Sequence, residues 1–213
     1  MQFDLATTIF SLAVLIVSIV VHEVAHGYAA NALGDPTAKL AGRLTLNPIR
    51  HIDPVGSVLI PAFLVLTHSN IMFGWAKPVP YNPYNLRNQR WGEAIVGVAG
   101  VATNLLIAVI FALITRYAVA SGMGAFANAT ATISFVNLFL GLFNLLPFPP
   151  IDGYTVLRGV LPFKYSMAFR NFENRMRQGG LFTLVIVLFA FSYFFSGPFS
   201  MFVSWVFAIL IGA

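Results

Sequence analysis

The sequence predicts an all-α, polytopic membrane protein: a bundle of about four to six transmembrane helices with a small membrane-associated β element and a re-entrant segment. Three observations predict it. Hydrophobic residues make up 58% of the chain and charged residues 9%, more apolar surface than one soluble core can bury. Several apolar stretches approach or exceed the ~20 residues a span requires. Two further apolar stretches, 54–67 and 181–211, are interrupted by glycine and proline, a pattern of segments that dip or break rather than cross as one rod.

The first helix is predicted over residues 4–33. No charged residue occurs from Leu5 to Val21, and Gly34 followed by Pro36 is a strong stop, since glycine closes a helix and proline cannot continue it. Residues 35–53 are more polar, and within them Gly42-Arg43-Leu44-Thr45-Leu46-Asn47-Pro48 alternates apolar and polar side chains, which predicts one short strand. The stretch 54–67 is short and carries Gly56 and Pro61. Residues 73–91 are rich in Pro, Asn, Tyr and Arg, and the prolines confine any strand there to an edge. Helices resume at 92–115 and 127–146, the second stopped by Pro147, Pro149 and Pro150. A basic loop is expected over 158–177. The last apolar run would span ~45 Å as one helix against a hydrocarbon core of ~30 Å, so two short helices or a broken hairpin fit better. The chain reads as a single membrane domain over 1–213, with a core at 5–160 and a C-terminal helical hairpin at 180–212. Its start lacks the basic residues of a signal peptide and is expected to be retained.

Twelve Lys and Arg against seven acids give a net charge of +5, but the cations lie between apolar runs rather than along one stripe, which disfavours nucleic-acid binding. The lipid bilayer is the expected surroundings. Cysteine is absent, so any metal must be held by nitrogen and oxygen.

The first helix carries His22-Glu23-Val24-Ala25-His26. Residues four apart share a helix face, so His22 and His26 can offer two imidazoles to one metal ion, with Glu23 beside them as a base. Ionisable side chains are costly inside a bilayer, and this group calls for a cation and water as partners. A catalytic zinc site takes a third protein ligand and keeps one position open. Among the seven acids Asp152 stands out, because it follows Asn144-Leu145-Leu146-Pro147-Phe148-Pro149-Pro150-Ile151 and precedes Gly153, where an apolar helix is forced to end. Its plain alternative is a turn aspartate in Asp-Gly. His51 is a further candidate ligand, although His51-Ile52-Asp53-Pro54 also reads as a turn.

The two motifs together resemble the site-2 protease family of intramembrane zinc metalloproteases, whose members pair a membrane HExxH with a distant N-x-x-P-x-P-x-x-D-G-type segment. The resemblance extends to Ala99-Gly100-Val101-Ala102-Thr103-Asn104, similar to the family's A-G-P-x-x-N helix except that Val101 stands where proline is usual. It covers residues 15–160, and the segments 42–54 and 73–88 look like those of the compact prokaryotic subgroup. Many relatives add a PDZ or CBS domain, for which this sequence has no room. The resemblance implies one catalytic zinc ion on His22, His26 and Asp152, with Glu23 as general base. Asn104 would be a catalytic hydrogen-bond donor to substrate or oxyanion, helix packing being its alternative. The substrate would be a single-span membrane protein of the prokaryotic plasma membrane, unwound and held against residues 42–47 and 77–83 by edge-strand addition. A metal transporter or a non-proteolytic metal-binding scaffold is the alternative. The outer half of the first helix has no His or carboxylate beyond Asp4, which disfavours transport, and a scaffold has no need of Glu23.

Topology is read independently of the resemblance. If 54–67 crossed the membrane, the His pair and Asp152 would lie near opposite faces and could not share a metal. If it dips and returns, both lie at one end together with every Lys and Arg except Arg116. The positive-inside rule then places the metal toward the cytoplasm.

Overall fold

The computed structural model describes residues 5–60, 62, 66, 75–180 and 193–212. The first helix, α1, runs Leu5–Ala32 and is followed by a short α2, Thr37–Leu40. A 3-10 turn at Pro48–His51 and a π-helical turn at Pro54–Leu59 come next, then a further 3-10 turn at Pro83–Asn85. Helix α3 spans Gly92–Ala120 and α4 spans Gly124–Asn144. Helices α5 (Asp152–Val160) and α6 (Phe163–Gln178) follow, and α7 runs Ser196–Ile211.

Three of these, α1, α3 and α4, are long and apolar enough to cross a membrane, with mean hydropathies of 2.3, 2.4 and 1.5. At 28 and 29 residues, α1 and α3 are each about 42–44 Å long, so they tilt in or extend beyond a ~30 Å hydrocarbon core. The distribution of side chains is that of a protein in lipid. Large apolar residues such as Leu12, Val17, Leu106, Leu113 and Trp205 face outward, while Ser18, Asn104, Thr130, Ser134 and Asn137 are buried. Lipid supplies no hydrophobic drive between helices, so small residues and interhelical hydrogen bonds hold the seam. Helices α3 and α4 pack closely along buried Ala108 and Ala112, with Ser134 donating to the Ala108 carbonyl at 2.8 Å and Thr115 to Thr130 at 2.9 Å. Helix α7 closes this seam with Val203 against Ala108 and Leu138.

The segment after α1 returns to the end where α1 finishes. Asp35 ties it there, its carboxylate accepting from the Thr37 amide and hydroxyl, the Asn82 amide at 2.6 Å and the Asn85 side chain at 2.9 Å. Arg87 N–H donates to the Leu33 carbonyl, and Leu86 packs with Ala30 and Val96. Trp75 lies against Gly56, where any Cβ would collide with its indole, and the Trp75 backbone N–H donates to the Gly56 carbonyl.

Two sequence expectations change. No strand forms among the described residues: 43–47 run without a ladder partner, and the Thr45 carbonyl accepts instead from His51. Alternation permits a strand, but a strand needs a neighbour. The expected basic loop at 158–177 is helical, the last turns of α5 and nearly all of α6. Arg158 donates to both Glu93 and Glu173, and Arg170 to Glu93, so charges that suggested a solvated loop are paired across α3, α5 and α6. The stretch 54–67 and the hairpin at 180–212 lie partly outside the described residues.

Candidate active site

Helix α1 presents His22 and His26 on one face toward α3, and the start of α5 presents Asp152 to the same point. The three donor atoms converge: His22 Nε2 lies 2.8 Å from Asp152 Oδ2, His26 Nε2 lies 3.2 Å from it, and the two Nε2 atoms are 3.0 Å apart. Both histidines are buried.

The opposite ring nitrogens explain what this convergence requires. His26 Nδ1 lies 2.7 Å from the Val96 carbonyl, which can only accept, so Nδ1 carries the proton and Nε2 is left with a lone pair. His22 Nδ1 lies 2.6 Å from Asn104 Oδ1 and is likewise the donor. With neutral rings, two lone pairs and a carboxylate oxygen then point at one another, an arrangement that needs a cation between them. Tetrahedral zinc bonds of ~2.0–2.2 Å space ligand atoms by about 3.3–3.6 Å, so the three donors, 2.8–3.2 Å apart, need to part by less than about 1 Å to admit the ion. The donor set, two imidazoles and one carboxylate, is one that zinc takes in catalytic sites.

Two glycines make room for the group. A Cβ on Gly100 would sit 2.5 Å from His26 Nε2 and 2.7 Å from His22 Nε2, so only a glycine lets α3 pass this close to the imidazoles. A Cβ on Gly153 would fall 2.2 Å from the Leu145 carbonyl oxygen, so the glycine after Asp152 lets the first turn of α5 nest against the end of α4. Asp152 is the first residue of that helix rather than part of a free turn.

Glu23 lies beside the histidines, half-buried, with Oε2 accepting from the Val79 N–H at 2.8 Å. That bond joins α1 to the proline-rich segment 77–83. Asn104 is fully buried: its oxygen faces His22 and its nitrogen donates to Asn137 at 2.9 Å. Both ends of its amide are engaged here, by His22 and by Asn137, whereas the sequence expectation turned it toward substrate. His51 stands outside the group, with Nε2 on the Thr45 carbonyl and Nδ1 facing Arg43. Asn144 donates to the Leu140 carbonyl within its own helix.

Sequence reading passed over several supporting groups. Asp35 is signalled by Gly34-Asp35-Pro36-Thr37, an aspartate placed to accept from the amide two residues on. Burial would raise its pKa, but the bonds from Thr37, Asn85 and Asn82 outweigh that and hold its carboxyl below the ordinary 3.8. Asn137 and Ser18 were legible only as polar residues in apolar runs. The Val96 carbonyl has no side-chain signal at all.

The comparisons with known proteins agree with this chemistry. The profile of Peptidase family M50 matches residues 116–187, which include Asp152. A Bacillus subtilis (strain 168) protein named "Putative zinc metalloprotease YwhC" is 41% identical over 170 residues, covering 76% of this chain and 74% of the relative. The "Putative zinc metalloprotease Rip2" of Mycolicibacterium smegmatis is 30% identical over 142 residues, 67% of this chain and 53% of the relative. "Zinc metalloprotease MJ0392" of Methanocaldococcus jannaschii is 25% identical over 175 residues, 82% of this chain and 41% of the relative. No solved structure matches. A buried two-histidine, one-carboxylate group among three apolar helices and a family of zinc metalloproteases point the same way: the chain belongs to Peptidase family M50, the site-2 proteases, and is a zinc-dependent intramembrane protease.

Proposed function

We propose that His22, His26 and Asp152 hold the one catalytic zinc ion, that Glu23 is the general base, and that the substrate is a single-span membrane protein cut in or near its membrane segment. The observation that carries the site assignment is the meeting of three acceptor atoms 2.8–3.2 Å apart with a carboxylate next in sequence to the first of them. Zinc in such a site acidifies water and polarises a peptide carbonyl. Glu23 takes the proton of the attacking water and returns it to the leaving amine. The Val79 N–H engages one Glu23 oxygen and leaves the other for that transfer. Asn104 holds the His22 ring in place.

Access to the bond is a separate problem, because a helical substrate hides its scissile carbonyl in an i to i−4 hydrogen bond. Residues 43–47 have no strand partner among the described residues, which suits edge-strand addition of an unwound peptide. Substrates with Gly, Pro, Asn or Ser near the cut should therefore be favoured, and poly-leucine spans should resist.

The chain leading into the stretch 54–67 and the chain emerging at Trp75 lie on the same side of the membrane. This is supported by Trp75, which lies back against Gly56 near where the stretch begins, and by the Lys77 N–H, which donates to the His51 carbonyl. Eleven of the twelve cations then share the end of the bundle that bears the metal, which supports that end facing the cytoplasm of a plasma-membrane protein.

The test is to incubate the purified protein with a panel of single-span peptides and find the cuts by mass spectrometry. Cuts that disappear with a zinc chelator and return with zinc are expected. Cleavage that persists in the chelator would overturn the assignment.

A further inference from the structure

The His22 ring is oriented by a chain of buried groups that runs through all three spanning helices. Asn137 of α4 has both amide protons engaged, one on the Ile133 carbonyl at 2.9 Å and one on Ser18 Oγ of α1 at 2.9 Å. Its oxygen accepts from Asn104 Nδ2 of α3 at 2.9 Å, and Asn104 Oδ1 accepts from His22 Nδ1 at 2.6 Å. Ser18, Asn137 and Asn104 are 4%, 1% and 0% exposed, so water does not compete for any of these bonds.

An amide can be turned end for end, so something must decide which way each points. The Ile133 carbonyl decides it, because it can only accept. Asn137 must turn its nitrogen toward Ile133 and hence its oxygen toward Asn104. Asn104 must then answer with its nitrogen, which leaves its oxygen for His22. An Asn104 turned the other way would set an N–H₂ group against the His22 N–H and push the ring off the metal. Ser18, one turn before His22 on the same face of α1, accepts the second proton and ties the chain back to the helix that bears the ligands.

We infer that Asn137 is a positioning residue for the zinc site: it sets the polarity of the Asn104 amide and through it the orientation of His22. This rests on His22 being a zinc ligand. Partners of this kind typically change metal affinity by roughly 10–100-fold when removed.

The test measures zinc affinity by competition with a chromophoric chelator, the d–d spectrum of the Co²⁺-substituted protein, and thermal stability, for wild type, Asn137→Leu and Asn137→Asp in detergent. Leucine has similar bulk and no polarity, so it frees Asn104 to turn. Zinc affinity should fall roughly tenfold or more and the cobalt spectrum should change, and some stability should be lost because Asn104 Nδ2 loses its buried acceptor. Aspartate still accepts from Asn104 but faces the Ile133 carbonyl with a second oxygen. It should lose stability yet keep zinc affinity within about threefold of wild type. A merely structural residue would give affinity that follows stability in both variants, so that the aspartate variant would lose zinc affinity along with its stability. Asn137→Leu protein that binds zinc like wild type would overturn the inference. If the leucine variant does not fold, the aspartate variant decides alone, retained affinity supporting the inference and lost affinity overturning it. A wild type that binds no zinc would instead refute the ligand assignment, so the two failures are distinguishable.

Discussion

A methyl group at position 100 would lie 2.5 Å from His26 Nε2, inside any tolerable contact, and the helix backbone that bears it cannot move far. Gly100→Ala is therefore expected to leave the helices intact by circular dichroism while lowering zinc affinity about tenfold or more in a chelator competition; unchanged affinity would mean that the imidazoles do not approach α3 this closely. Asp35 offers a test in pH. Its pKa is lower in the folded chain than its ordinary 3.8, so its contribution to stability is present above that value and is lost as pH falls through it and below. Asp35→Asn should be less stable than wild type at pH 7, and the gap should narrow as pH falls below about 4 in thermal melts. A gap independent of pH would show that the charge is not what the Thr37, Asn82 and Asn85 bonds recognise.

At the scale of elements, the position of Asp152 depends on how α5 sits on α3. Arg158, one and a half turns further along α5, bridges Glu93 of α3 and Glu173 of α6 and is 7% exposed. Replacing Arg158 removes a buried cation shared by Glu173 and by Glu93, which keeps Arg170, and costs up to about 3–5 kcal/mol. Arg158→Met should thus lower the melting temperature and reduce zinc occupancy together, read by melts and metal analysis on one preparation; loss of stability with full occupancy would mean that Asp152 is positioned independently of Arg158. The three spanning helices were legible in the sequence because long apolar runs ended by Gly, Pro or Asn leave little choice in a bilayer. Helix α6 was not, because its inward stripe, Ser166, Phe169, Arg170, Glu173 and Met176, includes charges whose partners lie 77 and 15 residues away in sequence. The expected strand at 42–48 failed for the same kind of reason, since its partner had to come from outside the segment.

At the scale of the molecule, the metal group was legible in outline because its parts are local motifs: a His-Glu pair at helical spacing and an aspartate after a proline stop. What surrounds it was not, since the Val96 carbonyl, Asn137 and Ser18 reach the site only through the packing of three helices. The proposed topology puts Lys39, Lys77 and Lys164 at one end and Arg116 at the other. Single cysteines at these four exposed positions are informative because the native chain has none. Impermeant thiol reagent outside intact cells should label position 116 alone, and labelling at position 77 would mean that 54–67 crosses. The central claim is a division of labour at one metal, in which His22, His26 and Asp152 hold zinc and Glu23 moves the proton. Zinc content and peptide cleavage measured on the same preparations of wild type, Glu23→Gln and Asp152→Ala test it most directly. Glu23→Gln should keep its zinc and lose turnover by roughly a hundredfold or more, whereas Asp152→Ala should lose both. A Glu23→Gln protein that cleaves at near-normal rate would contradict the claim.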